Sequence, residues 1–227
     1  MSQLTLASAR PRRINGSAPV ISGELFGALI NLAGRQRMLS QRIVLNAVLA
    51  SLGQDNTLQI ARETLALFRN SHTTLVQGNH ELPGVFFEEL DEAYFGPLKG
   101  DLQIRDFMEL AERALDATES NFRSAPGLLR ELGRSATSIV ALLNRITVVY
   151  EDESRRHSQA QKKQLHEMMN NIKTIAKQAR IVSCNAQIVA ARAGDAGREF
   201  SVVAGVLSNI TGEIDDLVHV ALSGSLT

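Results

Sequence analysis

Between Pro126 and the run "AGDAG" at residues 193 to 197 the chain has no proline, and beyond the opening turn its one glycine is Gly133. A proline tolerated at the first helical position followed by that much uninterrupted helix-forming sequence predicts one very long helix. Packing other helices against it is then the natural way to bury apolar surface. The rest of the composition agrees, because aromatic residues are scarce, Trp is absent, and four of the five prolines lie outside the long periodic segments.

The earlier part of the chain divides by the same punctuation. A first helix is predicted from Ser22, a plausible N-cap with Glu24 in the first turn, to Leu52, where Gly53 stops it. A second starts near residues 55 to 57 and ends at "QGNHELPG". "VFFEELDEAYF" reads as a short helix in a linking region, and Asp101 as the cap of a third long helix that ends by "RSAPG". With the helix opened by Pro126, four long helices reach to about residue 148, enough for an antiparallel four-helix bundle. The predicted organisation is a loose leader at 1–20, a bundle at 21–148, a charged helical connector at 149–165 and a helical hairpin at 166–224.

The hairpin follows from a returning apolar stripe. Ile172, Ile175, Ala179, Val182, Ala186, Val189 and Ala193 follow 3-4 spacing before the glycines, and Phe200, Val203, Leu207, Ile210, Ile214, Leu217 and Ala221 follow it afterwards. Heptads mirrored about a turn predict an antiparallel coiled-coil hairpin, and one narrow seam is short of burial, so pairing with a second copy is expected. The fold class is therefore all-α and homodimeric.

Charge and cysteine content narrow the function. With 24 basic and 24 acidic residues there is no global field to draw nucleic acid or an anionic membrane, so neither is expected as a partner. No apolar run approaches the roughly 18 to 20 residues that span a bilayer. A single cysteine, Cys184, excludes an internal disulfide and fits a reducing, cytoplasmic location; its place in an apolar stripe marks it as a core residue. The five histidines lack metal-ligand spacing and read as surface residues, no catalytic constellation or phosphate loop is present, and neither enzyme activity nor a cofactor or metal is expected.

Against that background "NLAGRQRMLSQR", residues 31 to 42, is anomalous, because it sets three arginines into a helix built for burial. On a helical wheel one seam is Leu25, Leu29, Leu32, Gln36, Leu39, Ile43 and Ala47, suited to the bundle core. A second seam is Gly23, Gly27, Ile30, Gly34, Arg37, Gln41, Val44 and Val48, whose glycines admit a close helix. Asn31, Arg35, Arg42 and Asn46 share the remaining polar stripe, so only Arg37 lies in a seam. An arginine there needs counter-charge. One solution is a carboxylate from "FFEELDE". The other is a small planar oxyanion held by the guanidinium fork, with Gly34 leaving room and Gln41 offering an amide; a two-fold axis would bring two Arg37 side chains to the same anion.

The stretch resembles the signature of the nitrate-sensing and PilJ-type sensor domains of bacterial receptors, roughly N-x-A-G-x-x-R-M-x-S-x-R. Asn31, Ala33, Gly34, Arg37, Met38, Ser40 and Arg42 match it, and Gln36, Leu39 and Gln41 match the PilJ-type version. The resemblance implies a dimeric four-helix bundle in which Arg37 and its symmetry mate hold nitrate or nitrite, assisted by Gly34, with Asn31, Ser40 and Arg42 in support. "NAQIVAARAGDAGREFSVVAGVLSNIT" likewise resembles the hairpin tip of methyl-accepting chemotaxis proteins, through Asn185, Ile188, Arg192, Gly194, Gly197, Arg198, Phe200, Val202 and Val203. It departs from that pattern at Val189 and Asp195, where the family has Glu, and at Glu199, where it has Gly. The implied signalling tip comprises Ile188, Arg192, Asp195, Phe200 and Val202. Together these features predict a signal-transduction sensor that binds nitrate or nitrite between two first helices and passes the signal to an unidentified signalling partner. The alternatives are a ligand-independent coiled-coil scaffold and a soluble chemoreceptor that docks on the chemotaxis array.

Overall fold

A computed structural model describes residues 22–224, and these form six α-helices and no strand. The leader expected at 1–20 lies outside the described residues. Helix α1 spans Gly23–Ser51, α2 Thr57–Gln77, α3 Glu88–Phe95, α4 Gly100–Glu119, α5 Ala125–Arg192 and α6 Arg198–Gly224, with a 3-10 turn at Gly194–Gly197. The chain divides into two compact units between Ser154 and Arg155.

In the first unit, local chemistry sets the ends of α1. The Ser22 hydroxyl accepts the Leu25 N–H at 3.2 Å, satisfying one of the orphan donors of the first turn. At the other end Leu52 closes the helix and Gly53 takes φ 77°. The first wheel seam faces inward as expected: Leu29, Gln36, Leu39, Ile43 and Ala47 are buried. They join Leu65, Phe68 and Leu75 of α2, Ile104, Phe107 and Leu115 of α4, and Leu132, Leu142 and Ile146 of α5 in one core. Arg62 bonds Asp116 and Glu119, while Arg69, two turns later, bonds the earlier Glu112, so α2 and α4 run antiparallel. Phe68 and Phe107 meet edge-on at 5.7 Å between ring centres, an arrangement that adds to the area each ring buries.

Two expectations about this unit need correction. Asp101 does not cap α4; Lys99 holds the cap position and the Asp101 carboxylate turns inward to His72. A carboxylate near a helix start reads as a cap, but here a tertiary partner outcompetes the local N–H groups. Tyr150, grouped with the charged connector on sequence, is fully buried in the core.

The second unit is a helical hairpin made by the last part of α5, the 3-10 turn and α6. Its contact line differs from the predicted seam. The residues buried between the arms are Ala176, Ser183, Ala190, Gly197, Ala204, Thr211 and Val218, one at every seventh position. They are mostly small, so the arms approach closely, and the Ser183 hydroxyl donates directly to the Ala204 carbonyl. A Cβ at Gly197 would fall on the carbonyl of Ala190, so only glycine lets the turn close. The large members of the predicted stripe face outward instead: Ile175 is 64% exposed, Val182 61% and Leu217 70%. Cys184, expected in the core, is exposed as well. No helix among the described residues is long and apolar enough to cross a membrane.

Candidate functional site

The second face of α1 lies at the edge of the core, with Ile30 and Val44 packed against it and the exposed stripe of Asn31, Arg35 and Arg42 beyond. Ile30, Gly34, Arg37 and Val44 are half-buried, Gln41 and Val48 are exposed, and Met38 beside Arg37 is 55% exposed. Arg37 folds back along its own helix. Its Nη2 lies 3.2 Å from where a Cβ on Gly34 would sit, so a side chain there would press on the guanidinium. Its Nη1 donates to Oδ1 of Asn144 on α5 at 2.7 Å.

That partner decides the electrostatics. Asn144 accepts a hydrogen bond but brings no charge, and among the described residues no carboxylate pairs with Arg37. The "FFEELDE" carboxylates are therefore not its counter-ions. A half-buried guanidinium with one neutral acceptor keeps its full charge and most of its five N–H donors. Such a group is suited to a planar oxyanion, which can take two parallel N–H bonds from the fork.

The other motif residues hold different positions. The Ser40 hydroxyl donates to the Arg37 carbonyl at 2.8 Å and is buried, so it braces the backbone at Arg37 rather than facing the fork. Asn31 and Arg42 are exposed. Asn46, placed on the polar stripe by the wheel, is buried and donates to the Arg42 carbonyl at 2.8 Å. Gln36 is fully buried in the core, and neither atom of its amide has a hydrogen-bond partner. In the hairpin Ile188, Arg192, Asp195, Phe200 and Val202 are all exposed around the turn, where Arg198 approaches Asp195 at 3.5 Å. They offer a surface, not a pocket.

A second polar cluster, missed on sequence, is internal to the first unit. His72, read as a surface histidine, is buried, and its Nε2 lies 2.8 Å from Asp101 Oδ1. Arg105, one turn along α4, reaches the same carboxylate at 3.0 Å. Burial pushes the Asp101 carboxyl up, but the His72 hydrogen bond and the nearby His72 and Arg105 charges outweigh it and hold it below the usual carboxylate range. Burial likewise pushes the Tyr94 and Tyr150 hydroxyls well up, so both stay neutral. Because the folded Asp101 value is depressed, its contribution to stability is present above about pH 4 and is lost as pH falls through the lowered folded value. Asp101→Asn is expected to cost about 2 kcal/mol at pH 7. In thermal melts from pH 7 to pH 2 its deficit against the wild type should shrink below about pH 4; a deficit that stays constant into acid would contradict this. Among the described residues no group of three His, Cys, Asp or Glu side chains is arranged to hold a metal ion.

Asn144 was also invisible on sequence, where it only interrupts the apolar run "IVALLNRITVVY". No motif marks it, and its partner lies 107 residues away.

Comparison with known proteins bears on both units. Residues 25–85 match the family described as the type IV pili methyl-accepting chemotaxis transducer N-terminal domain, PilJ. Residues 143–216 match the methyl-accepting chemotaxis protein signalling domain. The chain is also 30% identical over 122 residues to methyl-accepting chemotaxis protein TlpQ of Pseudomonas aeruginosa, across 52% of this chain and 13% of that protein. It thus spans about an eighth of the length of that relative. No solved structure matches. Arg37 falls within the first matched segment and the hairpin tip within the second. The chain thus carries a segment similar to a PilJ-type sensor, followed by a segment similar to a methyl-accepting chemotaxis signalling domain.

Proposed function

We propose that the protein is a homodimeric sensor of a small planar oxyanion, nitrate or nitrite, bound between two copies of α1. Arg37 supplies the charged fork, Gly34 the space beside it, and Gln41, one turn on, a further amide donor. Asn31, Ser40 and Arg42 support the site. The single observation that carries this reading is that Arg37, half-buried at the edge of the core, has a neutral acceptor and no counter-ion. A second copy of the face would set two such cations together, and an anion between them would relieve the repulsion. The exposed apolar side chains beside Arg37 and along the hairpin are further support for pairing.

Anion binding would favour one arrangement of α1 against its mate, and the signal would leave through the hairpin surface at Ile188, Arg192, Asp195, Phe200 and Val202 to a protein partner. The match over 143–216 favours a coupling protein of a chemotaxis array as that partner. A pull-down with such a protein tests this output, and failure of both the wild type and Val189→Glu to bind would exclude it.

Calorimetric titration with nitrate, nitrite, sulfate and chloride at constant ionic strength tests the input. Nitrate or nitrite should release heat, chloride should not, and Arg37→Ala should remove about 2 to 5 kcal/mol of binding free energy, the usual cost of truncating one partner of a hydrogen-bonded charge pair. Absence of heat from every oxyanion would end the sensor reading. Undiminished binding by Arg37→Ala would move the site elsewhere.

A further inference from the structure

The acceptor that Arg37 chooses bears on how the oxyanion site is set and read. We infer that Asn144 is the positioning residue of this site: it fixes the Arg37 fork without neutralising it and ties the fork to α5. The inference rests on the oxyanion reading of Arg37.

Three observations support it together. First, the contact is short, 2.7 Å from Arg37 Nη1 to Asn144 Oδ1, and it bridges α1 and α5. It occupies one of the five guanidinium N–H groups and leaves the others for an anion. Second, the guanidinium has two fixed contacts: exposed Asn144 holds Nη1 while Nη2 lies over Gly34, so the orientation of the fork is set at both nitrogens. A pre-set fork loses less freedom when it binds. Third, the chemistry at this position is selective. An aspartate has the same shape as asparagine but would close an ion pair with Arg37 and occupy the fork from within. A leucine has similar size but offers no acceptor. Asparagine alone of the three holds the arginine and leaves its charge for a ligand.

The link to output follows from where Asn144 sits. It lies on α5, which runs without a break from Ala125 to Arg192. An anion that draws the Arg37 fork toward itself either pulls on Asn144 or releases it. Either event is felt by α5, although α5 supplies none of the anion's own ligands. Arg37 then senses the anion, and Asn144 converts a shift of the fork into a shift of the helix that continues toward the signalling segment.

The test uses the full chain, sodium nitrate as probe and sodium chloride at matched ionic strength as control, with Asn144→Asp and Asn144→Leu. Asn144→Asp should melt no lower than wild type without nitrate, because it gains an ion pair, yet bind nitrate at least about tenfold more weakly. A merely structural role would not produce stability and binding changes in opposite directions. Asn144→Leu should keep binding within about threefold through the unaltered charge of Arg37. Hydrogen exchange across residues 137 to 150 should respond to nitrate in the wild type and not in Asn144→Leu. Nitrate binding by Asn144→Asp at wild-type affinity, or a wild-type exchange response in Asn144→Leu, would overturn the role of Asn144 and leave the Arg37 reading standing. Absence of nitrate binding by the wild type itself would overturn that reading, and the role of Asn144 with it.

Discussion

His72→Ala should lower the melting temperature at pH 7 by about 6 to 12 °C, the shift expected for about 3 kcal/mol in a chain of this size. The side chain of Asp101 is only 12% exposed, and the substitution removes its 2.8 Å contact while leaving its charge in place. An uncompensated buried charge is among the costlier defects a core can carry. Arg105 keeps its own contact, but its side chain is 58% exposed and screened by water, so it offsets only part of the loss. The packing of the His72 ring against Tyr94, 5.9 Å between centres, goes as well. The double replacement His72→Leu with Asp101→Leu should recover much of the stability, because it removes both partners instead of stranding one. Circular dichroism melts of the three proteins measure this. A single-mutant shift below about 2 °C would show that the pair adds little to the packing of α2 on α4.

Nitrate should also tighten the dimer strongly. If each half-site places one Arg37 at a common axis, the anion-free dimer carries the repulsion of two guanidinium groups and the anion-bound dimer does not. An anion held only by the dimer raises the dimerisation constant by a factor of one plus the ratio of the nitrate concentration to its Kd. At nitrate one hundred times its dissociation constant the gain is about a hundredfold. The effect should vanish in Arg37→Ala, which removes repulsion and ligand together. Its dimer should be independent of nitrate and no weaker than the anion-free wild type.

How far such features could be read in advance depended on how local their causes are. The ends of α1 were legible because their determinants, the Ser22 cap and Gly53, lie within a turn of the boundary. That Arg37 is half-buried while Arg35 and Arg42 are exposed was legible because the helical period alone separates the inner from the outer stripes. The seam of the hairpin was not. Apolarity marks surface that will be buried by something, and the largest apolar residues, such as Ile175 and Val182, are left outward by the chain's own fold. The arms meet instead on Ala176, Ser183, Ala190 and Ala204, whose smallness allows close approach and carries little hydropathic signal. Asp101 and His72 were misread for a related reason: each satisfies a local rule, as a cap or a surface histidine, until a partner 29 residues away replaces it. Asn144 had no local signature at all.

Sedimentation equilibrium of the full chain, with and without nitrate at fixed ionic strength, bears most directly on the oxyanion site, since it reads the anion and the axis at once. The expected result is a nitrate-dependent shift from monomer to dimer, with one anion bound per two chains, absent in Arg37→Ala. A monomer–dimer equilibrium indifferent to nitrate, or one anion bound per chain, would contradict it.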